Sequence, residues 1–308
     1  MSIKFAAVRR ALAAKREVGR MRVMKRLAAG LTLAAVGGVA MAGAALATEV
    51  GAPVPGGLGM QAAASSVKER VHDLHDLLLV IITAITLFVL ALMAYAAWRF
   101  RAERNPNPST TSHNTLLEVA WTVIPVLILV VIAVPSFRLL YYMDRTHEPD
   151  LTVKVTGFQW AWEYEYLDAD GLKFESYMIP ADQAVEEGKK RLLDVDEELV
   201  LPVGKNIRIL TTSRDVIHSF FIPSLGVQKY NIPGRVLETW VRIDRPGVYY
   251  GQCNQICGVN HAFMPIAVRA VPEAEFTAWL EEARRRFAAG DPPTRVAARA
   301  ADAAAAAN

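Results

Sequence analysis

The stretch Tyr250-Gly-Gln-Cys-Asn-Gln-Ile-Cys-Gly-Val-Asn-His-Ala-Phe-Met-Pro265 decides how the rest of the chain is read. It holds both cysteines of the chain, Cys253 and Cys257, then His261 four residues on and Met264 three after that. Gly251, Gly258 and Pro265 oppose a regular helix, so the stretch reads as a tight loop that turns its side chains toward one point. Soft sulfur and imidazole donors select copper, zinc or iron–sulfur over magnesium or calcium. A blue-copper ion takes one Cys, two His and a weak axial Met. This loop has one cysteine more and one histidine fewer, so the second imidazole has to come from elsewhere. A disulfide in an oxidising compartment is the plainer reading of two cysteines so closely spaced.

Around this loop the pattern is β. Leu151-Thr-Val-Lys-Val-Thr156 and Trp160-Ala-Trp-Glu-Tyr-Glu-Tyr166 alternate, and 206–210, 236–243 and 247–250 follow, divided by Gly and Pro. Many short strands with turn residues between them predict a small all-β sandwich or barrel over 150–271. Residues 272–287 read as a short helix with Pro272 near its start. The Ala-rich stretch 288–308, with Gly290, Pro292 and Pro293, reads as a disordered tail.

The N-terminal half has another character. Hydrophobic residues make up 53% of the 308, and mean hydropathy is +0.21, high for a purely soluble chain. A net charge of +3 with no basic stripe among aromatics argues against nucleic acid. Residues 77–98 carry no charge between Asp76 and Arg99. At ~1.5 Å per residue they reach about 33 Å, enough to cross the hydrocarbon core. A second uncharged run, 119–137, contains Pro125 and Pro135, which membrane helices tolerate where neighbours satisfy the freed carbonyls. Together they predict a transmembrane hairpin over 67–145, with helices at about 77–98 and 119–140. Arg99, Arg101 and Arg104 against Glu103 make the connecting loop cytoplasmic, which leaves both ends of the hairpin outside. Upstream, Met24-Lys-Arg26, an apolar stretch 27–46 and Ala45-Leu-Ala47 read 1–47 as a secretory leader cut after Ala47. A first membrane helix is the alternative. Residues 48–66 read as a linker rich in Gly, Pro and Ala. Glu118, at the cytoplasmic mouth of the second helix, is either an ordinary helix-start carboxylate or a proton-handling acid at the membrane edge.

The histidine search then narrows quickly. His72, His75 and His147 lie near the membrane surface and His113 in the cytoplasmic loop. His218 alone shares the β region with His261, at the end of a β-like run. Two cysteines, two histidines and a methionine exceed the needs of one blue-copper ion. Two bridging thiolates can hold two coppers, each with one terminal histidine. Such a pair spreads one electron over both metals, and its saturated ligation leaves no position for a substrate. Structural zinc with Cys2His2 is the rival; it leaves Met264 spare and gives the hairpin no purpose.

At this point the sequence resembles subunit II of the haem–copper cytochrome c oxidases of the bacterial aa3 type, over about 67–271. The motif Cys253-x3-Cys257-x3-His261-x2-Met264 carries the likeness. So do Gly157-Phe-Gln-Trp-Ala-Trp-Glu-Tyr-Glu-Tyr166, Asp215-Val-Ile-His-Ser219, Pro223-Ser-Leu-Gly226, Ile232-Pro-Gly-Arg235 and Glu118-Val-Ala-Trp-Thr-Val-Ile-Pro125. The resemblance implies an α+β membrane protein: a two-helix transmembrane hairpin followed by an all-β cupredoxin-like barrel carrying a dinuclear copper (CuA) centre. By position, Cys253 and Cys257 would bridge the coppers, and His218 and His261 would bind one each. Met264 and the backbone carbonyl of Gln255 would be weak ligands. Trp160 matches the tryptophan over which cytochrome c docks and where its electron arrives, although a core aromatic at that place in a strand would look the same. Glu165, Asp196 and Asp215 match acids that dock this basic partner. The seven carboxylates of 182–198, against Lys189, Lys190 and Arg191, fit electrostatic steering, as they would fit a solvated face. Glu118 matches the acid at the start of the K proton pathway.

The implied function is electron acceptance from cytochrome c and delivery to haem a of subunit I, which also holds haem a3 and CuB. There oxygen is reduced and protons are pumped, with subunit III alongside. The implied place is the lipid bilayer of a bacterial inner membrane, crossed twice, with the N-terminus and copper domain periplasmic. Two departures stand out. Gln255 occupies the place of a glutamate whose side chain reaches a magnesium ion at the border with subunit I. A carbonyl ligand survives that change, but the uncharged amide weakens the case for magnesium. Tyr230-Asn231 stands where Asp-Ala is common, and the sequence attaches no function to it. Rivals differ in plain ways. The copper domain of a nitrous oxide reductase follows a large propeller and has no hairpin. A quinol-oxidase subunit II lacks the ligands. A membrane-tethered copper-delivery protein has no redox partner.

Overall fold

The structure is a computed structural model and describes residues 51–144 and 148–288. The expected leader, His147 and the expected tail from 289 onward lie outside the described residues. Two long helices come first, α1 (Ser66–Arg99) and α2 (Thr115–Asp144). Both are long and apolar enough to cross a membrane. Each uncharged run sits inside one of them, and both helices extend beyond it. α1 starts eleven residues ahead of residue 77 because its first turn packs on the β region. Val67 is buried there, and the Ser65 hydroxyl accepts from the Lys68 N–H at 3.1 Å and donates to the Leu225 carbonyl at 2.7 Å. α2 carries Pro125 and Pro135 without breaking.

Ten strands follow: β1 (Leu151–Phe158), β2 (Ala161–Tyr166), β3 (Leu172–Ser176), β4 (Leu199–Pro202), β5 (Ile207–Ser213), β6 (His218–Ile222), β7 (Val227–Asn231), β8 (Leu237–Val241), β9 (Gly247–Cys253) and β10 (Pro265–Val271). A short helix, α3 (Ala181–Glu186), lies between β3 and β4, and α4 (Glu273–Ala288) ends the described chain. The strands form two five-stranded sheets, ordered β3-β2-β1-β5-β8 and β4-β10-β9-β6-β7. β1–β5 and β10–β4 pair in parallel, the other pairs antiparallel.

Alternation builds the core. Trp162, Tyr164 and Tyr166 point inward from β2 and are fully buried, facing Phe220 and Ile222 of β6, Tyr249 of β9 and Ile266 and Val268 of β10. The Tyr166 hydroxyl donates to the Val200 carbonyl at 2.7 Å and so ties β2 to β4 of the other sheet. Asn231 ties them a second time. The Phe220 N–H donates to its Oδ1 at 3.1 Å, and its Nδ2 donates to the carbonyls of Val155 and Thr212 at 2.9 and 3.0 Å. A buried amide with these partners is satisfied rather than costly. α4 packs Phe276, Trp279 and Phe287 against Tyr166 and Phe174.

The stretch expected to be a linker is held to the sandwich at both of its described ends. The Gly51 carbonyl accepts from the Tyr250 N–H at 2.7 Å. The Ala64 N–H donates to Ser224 and the Asp244 N–H to Ala64, both at 3.0 Å, beside an isolated bridge between Ser65 and Ile243. Its composition hid this because most of the pairing uses backbone groups, which no residue type announces. At the other end of the hairpin, the Trp240 Nε1–H donates to the Tyr142 carbonyl at 3.0 Å, and Lys229 pairs with Asp144 at 2.9 Å.

Candidate metal centre

Three neighbouring strands of one sheet deliver the loop's side chains. β9 ends on Cys253, β10 begins directly after Met264, and β6 begins on His218. The pairing of Pro265 with Gln252 and of Cys253 with Phe220 brings the three strand ends to one place. His218, expected at the end of a run, stands at the start of one, opposite Asn231. Gly157 on β1 makes room for it, since a Cβ there would sit 3.0 Å from three atoms of the His218 side chain. Between Cys253 and Met264 the chain makes a loop that carries Cys257 and a single 3-10 turn, His261–Phe263.

The donors line up in a definite order. Cys253 Sγ and Cys257 Sγ are free thiols 3.9 Å apart. His218 Nδ1 lies 4.0 Å from Cys253 Sγ, and His261 Nδ1 lies 3.6 Å from Cys257 Sγ. Met264 Sδ is 3.6 Å from Cys257 Sγ, and the Gln255 carbonyl oxygen is 3.3 Å from Cys253 Sγ. His218, Cys253, Cys257 and Met264 are all buried. Burial first, then the neighbouring Cys253 thiol, pushes Cys257 up to about 12. Without a metal this thiol keeps its proton, so binding one displaces it. Two thiols side by side, each with its own imidazole, fit a pair of soft metal ions bridged by sulfur. Met264 and the Gln255 carbonyl stand where weak outer ligands would.

A belt of hydrogen bonds surrounds the donors. The Trp162 Nε1–H donates to the Met264 carbonyl at 3.2 Å. Trp160, in the β1–β2 turn, donates from Nε1 to the Cys257 carbonyl at 3.2 Å, and Gln159 Nε2 donates to the same oxygen at 2.8 Å. Asp215 Oδ1 lies 2.9 Å from His218 Nε2, and Oδ2 accepts the Gln159 backbone N–H at 2.7 Å. Burial opposes ionisation of Asp215. The His218 contact and the N–H groups of Gln159 and Val216 outweigh it and hold the carboxyl below its ordinary value.

The remaining expected residues are elsewhere. Glu165 pairs with Lys154 at 3.0 Å, and Asp196 accepts the N–H groups of Tyr177 and Glu197. Glu118 lies in the first turn of α2, 26 residues from its end at Asp144, or about 39 Å along the helix. His72 and His75 lie on α1 and His113 just before α2. Sequence reasoning missed Gln159, Gly258 and Asn231. Gln159 lies in a quoted motif and Gly258 was read only as opposing a helix, and nothing in the sequence shows that the two meet beside Trp160.

Comparison with known proteins identifies the family. The family described as "Cytochrome C oxidase subunit II, transmembrane domain" matches residues 53–139, and that described as "Cytochrome C oxidase subunit II, periplasmic domain" matches 151–271. The chain belongs to the cytochrome c oxidase subunit II family. A probable cytochrome c oxidase subunit 2 of Rickettsia bellii is 46% identical over 239 residues, covering 78% of this chain and 88% of the relative. Cytochrome c oxidase subunit 2 of Cereibacter sphaeroides is 43% identical over 252 residues, covering 76% and 83%. Among solved structures, the periplasmic domain of subunit II of cytochrome oxidase of Bradyrhizobium japonicum is 45% identical. It covers 46% of this chain and 99% of that one, with a TM-score of 0.44. As a member of the subunit II family the chain is a membrane protein, and the assembly to which such subunits belong is an oxidoreductase. Its hairpin is the family's transmembrane part and its sandwich the periplasmic domain, which implies copper as the metal.

Proposed function

We propose that this chain is the electron-accepting subunit of a cytochrome c oxidase, taking electrons from cytochrome c and delivering them to haem a of subunit I. The observation that carries the reading is the pair of thiols 3.9 Å apart, each with its own imidazole Nδ1 within 4.0 Å. A single tetrahedral ion would instead draw both imidazoles to one point. Cys253 and Cys257 would bridge two coppers, His218 and His261 would each hold one, and Met264 and the Gln255 carbonyl would complete the set. When bound, the copper pair supplies one-electron chemistry with the charge shared through both thiolates. Gln255 enters this proposal through its backbone only.

The chain's own residues do the rest. Trp160 receives the electron, and its Nε1–H on the Cys257 carbonyl gives it a bonded route of one hydrogen bond to a ligand residue. Burial of His218, Cys253, Cys257 and Met264 keeps water from most of the donors and their positions fixed, so little has to move on reduction. Glu165 and Asp196 present negative charge to a basic partner while remaining paired within the chain. Glu118 takes up protons at the opposite membrane face, beside the arginine-rich loop that the positive-inside rule makes cytoplasmic. The sandwich then faces the periplasm of a bacterial inner membrane, and oxygen is reduced in subunit I.

Two measurements test this. The assembled oxidase should hold two coppers on this chain and show the purple and near-infrared absorption of a mixed-valence pair. Zinc without copper, or a lone blue-copper band, refutes the reading. Trp160→Phe should slow oxidation of reduced cytochrome c, and an unchanged rate removes Trp160 from the route.

A further inference from the structure

Tyr230 and Gln255 lie far apart in the sequence and depart separately from the family pattern, Tyr230 where aspartate is common and Gln255 where glutamate is usual. The fold puts both along one edge of the same sheet. Ser219 of β6 pairs with Tyr230 of β7, and the Ser219 carbonyl accepts the N–H of Asn254, the residue before Gln255, at 3.4 Å. Alternation turns Tyr230 outward: Val227 and Asn231 are buried, while Gln228 and Tyr230 are exposed. On β9, Gln252 stands opposite Phe221 and is exposed, as is Asn254 just beyond it. Gln255 is half-buried, with its carbonyl oxygen 3.3 Å from Cys253 Sγ. Over 218–221, 227–231 and 252–256 there is no Asp or Glu. The single Lys or Arg of these segments, Lys229, is paired with Asp144 at 2.9 Å. This edge is an uncharged strip of amides and a phenol.

We propose that Gln255 and Tyr230 together keep magnesium out of this edge, so that the chain meets subunit I here through neutral hydrogen bonds and not across a shared cation. The resemblance implies a magnesium ion at that border, and the donors present do not fit it. Magnesium demands hard oxygen ligands in near-octahedral geometry, gives up its waters reluctantly and is usually held through one or two carboxylates. Amide and phenol oxygens offer hydrogen bonds without negative charge. No carboxylate in the three segments makes up the loss. Among the described residues, the group of His, Cys, Asp or Glu side chains close enough to share an ion is His218, Cys253 and Cys257, a soft set unsuited to magnesium. Either departure alone would leave one acid on this edge. With both neutral, nothing on it attracts a hard cation. The inference goes beyond the copper reading and does not depend on it, since Gln255 enters there through its carbonyl alone.

The test uses the assembled oxidase from cells grown with manganese in excess, washed with EDTA and read by metal analysis and the six-line resonance of bound manganese(II). Wild type should retain neither manganese nor magnesium. The double variant Gln255→Glu with Tyr230→Asp should retain one manganese per complex, because it restores the negative charge that a hard cation needs. A chelator-resistant ion in wild type overturns the proposal. So does a double variant that gains none, since the two neutral residues are then not what excludes the cation. Should the double variant fail to assemble, Gln255→Glu alone takes its place: manganese gained there supports the proposal, and none gained overturns it. Copper content, measured on the same samples, shows that the ligand loop is intact. Wild type without copper would break the copper reading, while the manganese count would still judge this one.

Discussion

The hairpin and the sandwich are both rich in apolar side chains and dispose of them in opposite ways. In the sandwich Val153, Val155, Trp162, Ile207 and Ile266 close on one another and are fully buried. In α2 no residue is buried, and Val119, Ile124, Leu127, Leu129 and Val130 all stand exposed. One region carries its own apolar solvent, and the other borrows it from lipid and from partner helices. The difference teaches what each will tolerate. Close packing makes the sandwich sensitive to lost volume, whereas lipid fills gaps and punishes charge.

Three substitutions would break or sharpen that contrast. Trp162→Ala should cost about 3–5 kcal/mol, as large-to-small changes in a packed core do, read as a lower denaturation midpoint of the sandwich. It also removes the donor to the Met264 carbonyl, so copper affinity should fall with it. Val130→Arg, near the middle of α2, should cost roughly 3 kcal/mol of membrane insertion and deplete the membrane fraction, with sandwich unfolding unchanged. Leu129→Ala should alter neither by more than about 1 kcal/mol, since the exposed side chain leaves no cavity behind. A large loss in the last case would mean that a protein partner, not lipid, covers that face.

Legibility followed the same division. The hairpin could be read because absence of charge over 77–98 and 119–137 is a local property. The ligands could be read because cysteine, histidine and methionine at close spacing are rare and chemically narrow, and His218 was found as the one histidine left in the β region. What could not be read is what distant segments do to each other. The parallel pairings of β1 with β5 and β4 with β10 join stretches whose own alternation is silent about their neighbours. Asp215 illustrates this best. The resemblance marked it as a docking acid, and nothing in the sequence showed that its carboxylate also meets the Gln159 N–H and the His218 ring, contacts that depend on how the β1–β2 turn folds over β6. Asn231, to which the sequence attached nothing, stitches the two sheets opposite His218 because three backbone groups happen to converge there.

The attachment of the hairpin has a mechanical consequence. The sandwich grips the start of α1 through Ala64 and Ser65, and the end of α2 through Tyr142 and Asp144. A lobe moored at one point can swivel like a buoy; one moored at two cannot. The ligand loop is therefore tied to the helix pair at two places rather than one. On the proposed electron-transfer reading, an acceptor anchored to the same helices would meet a donor held at two points, and tunnelling, which decays steeply with distance, would depend on one set separation rather than on a swivelling one.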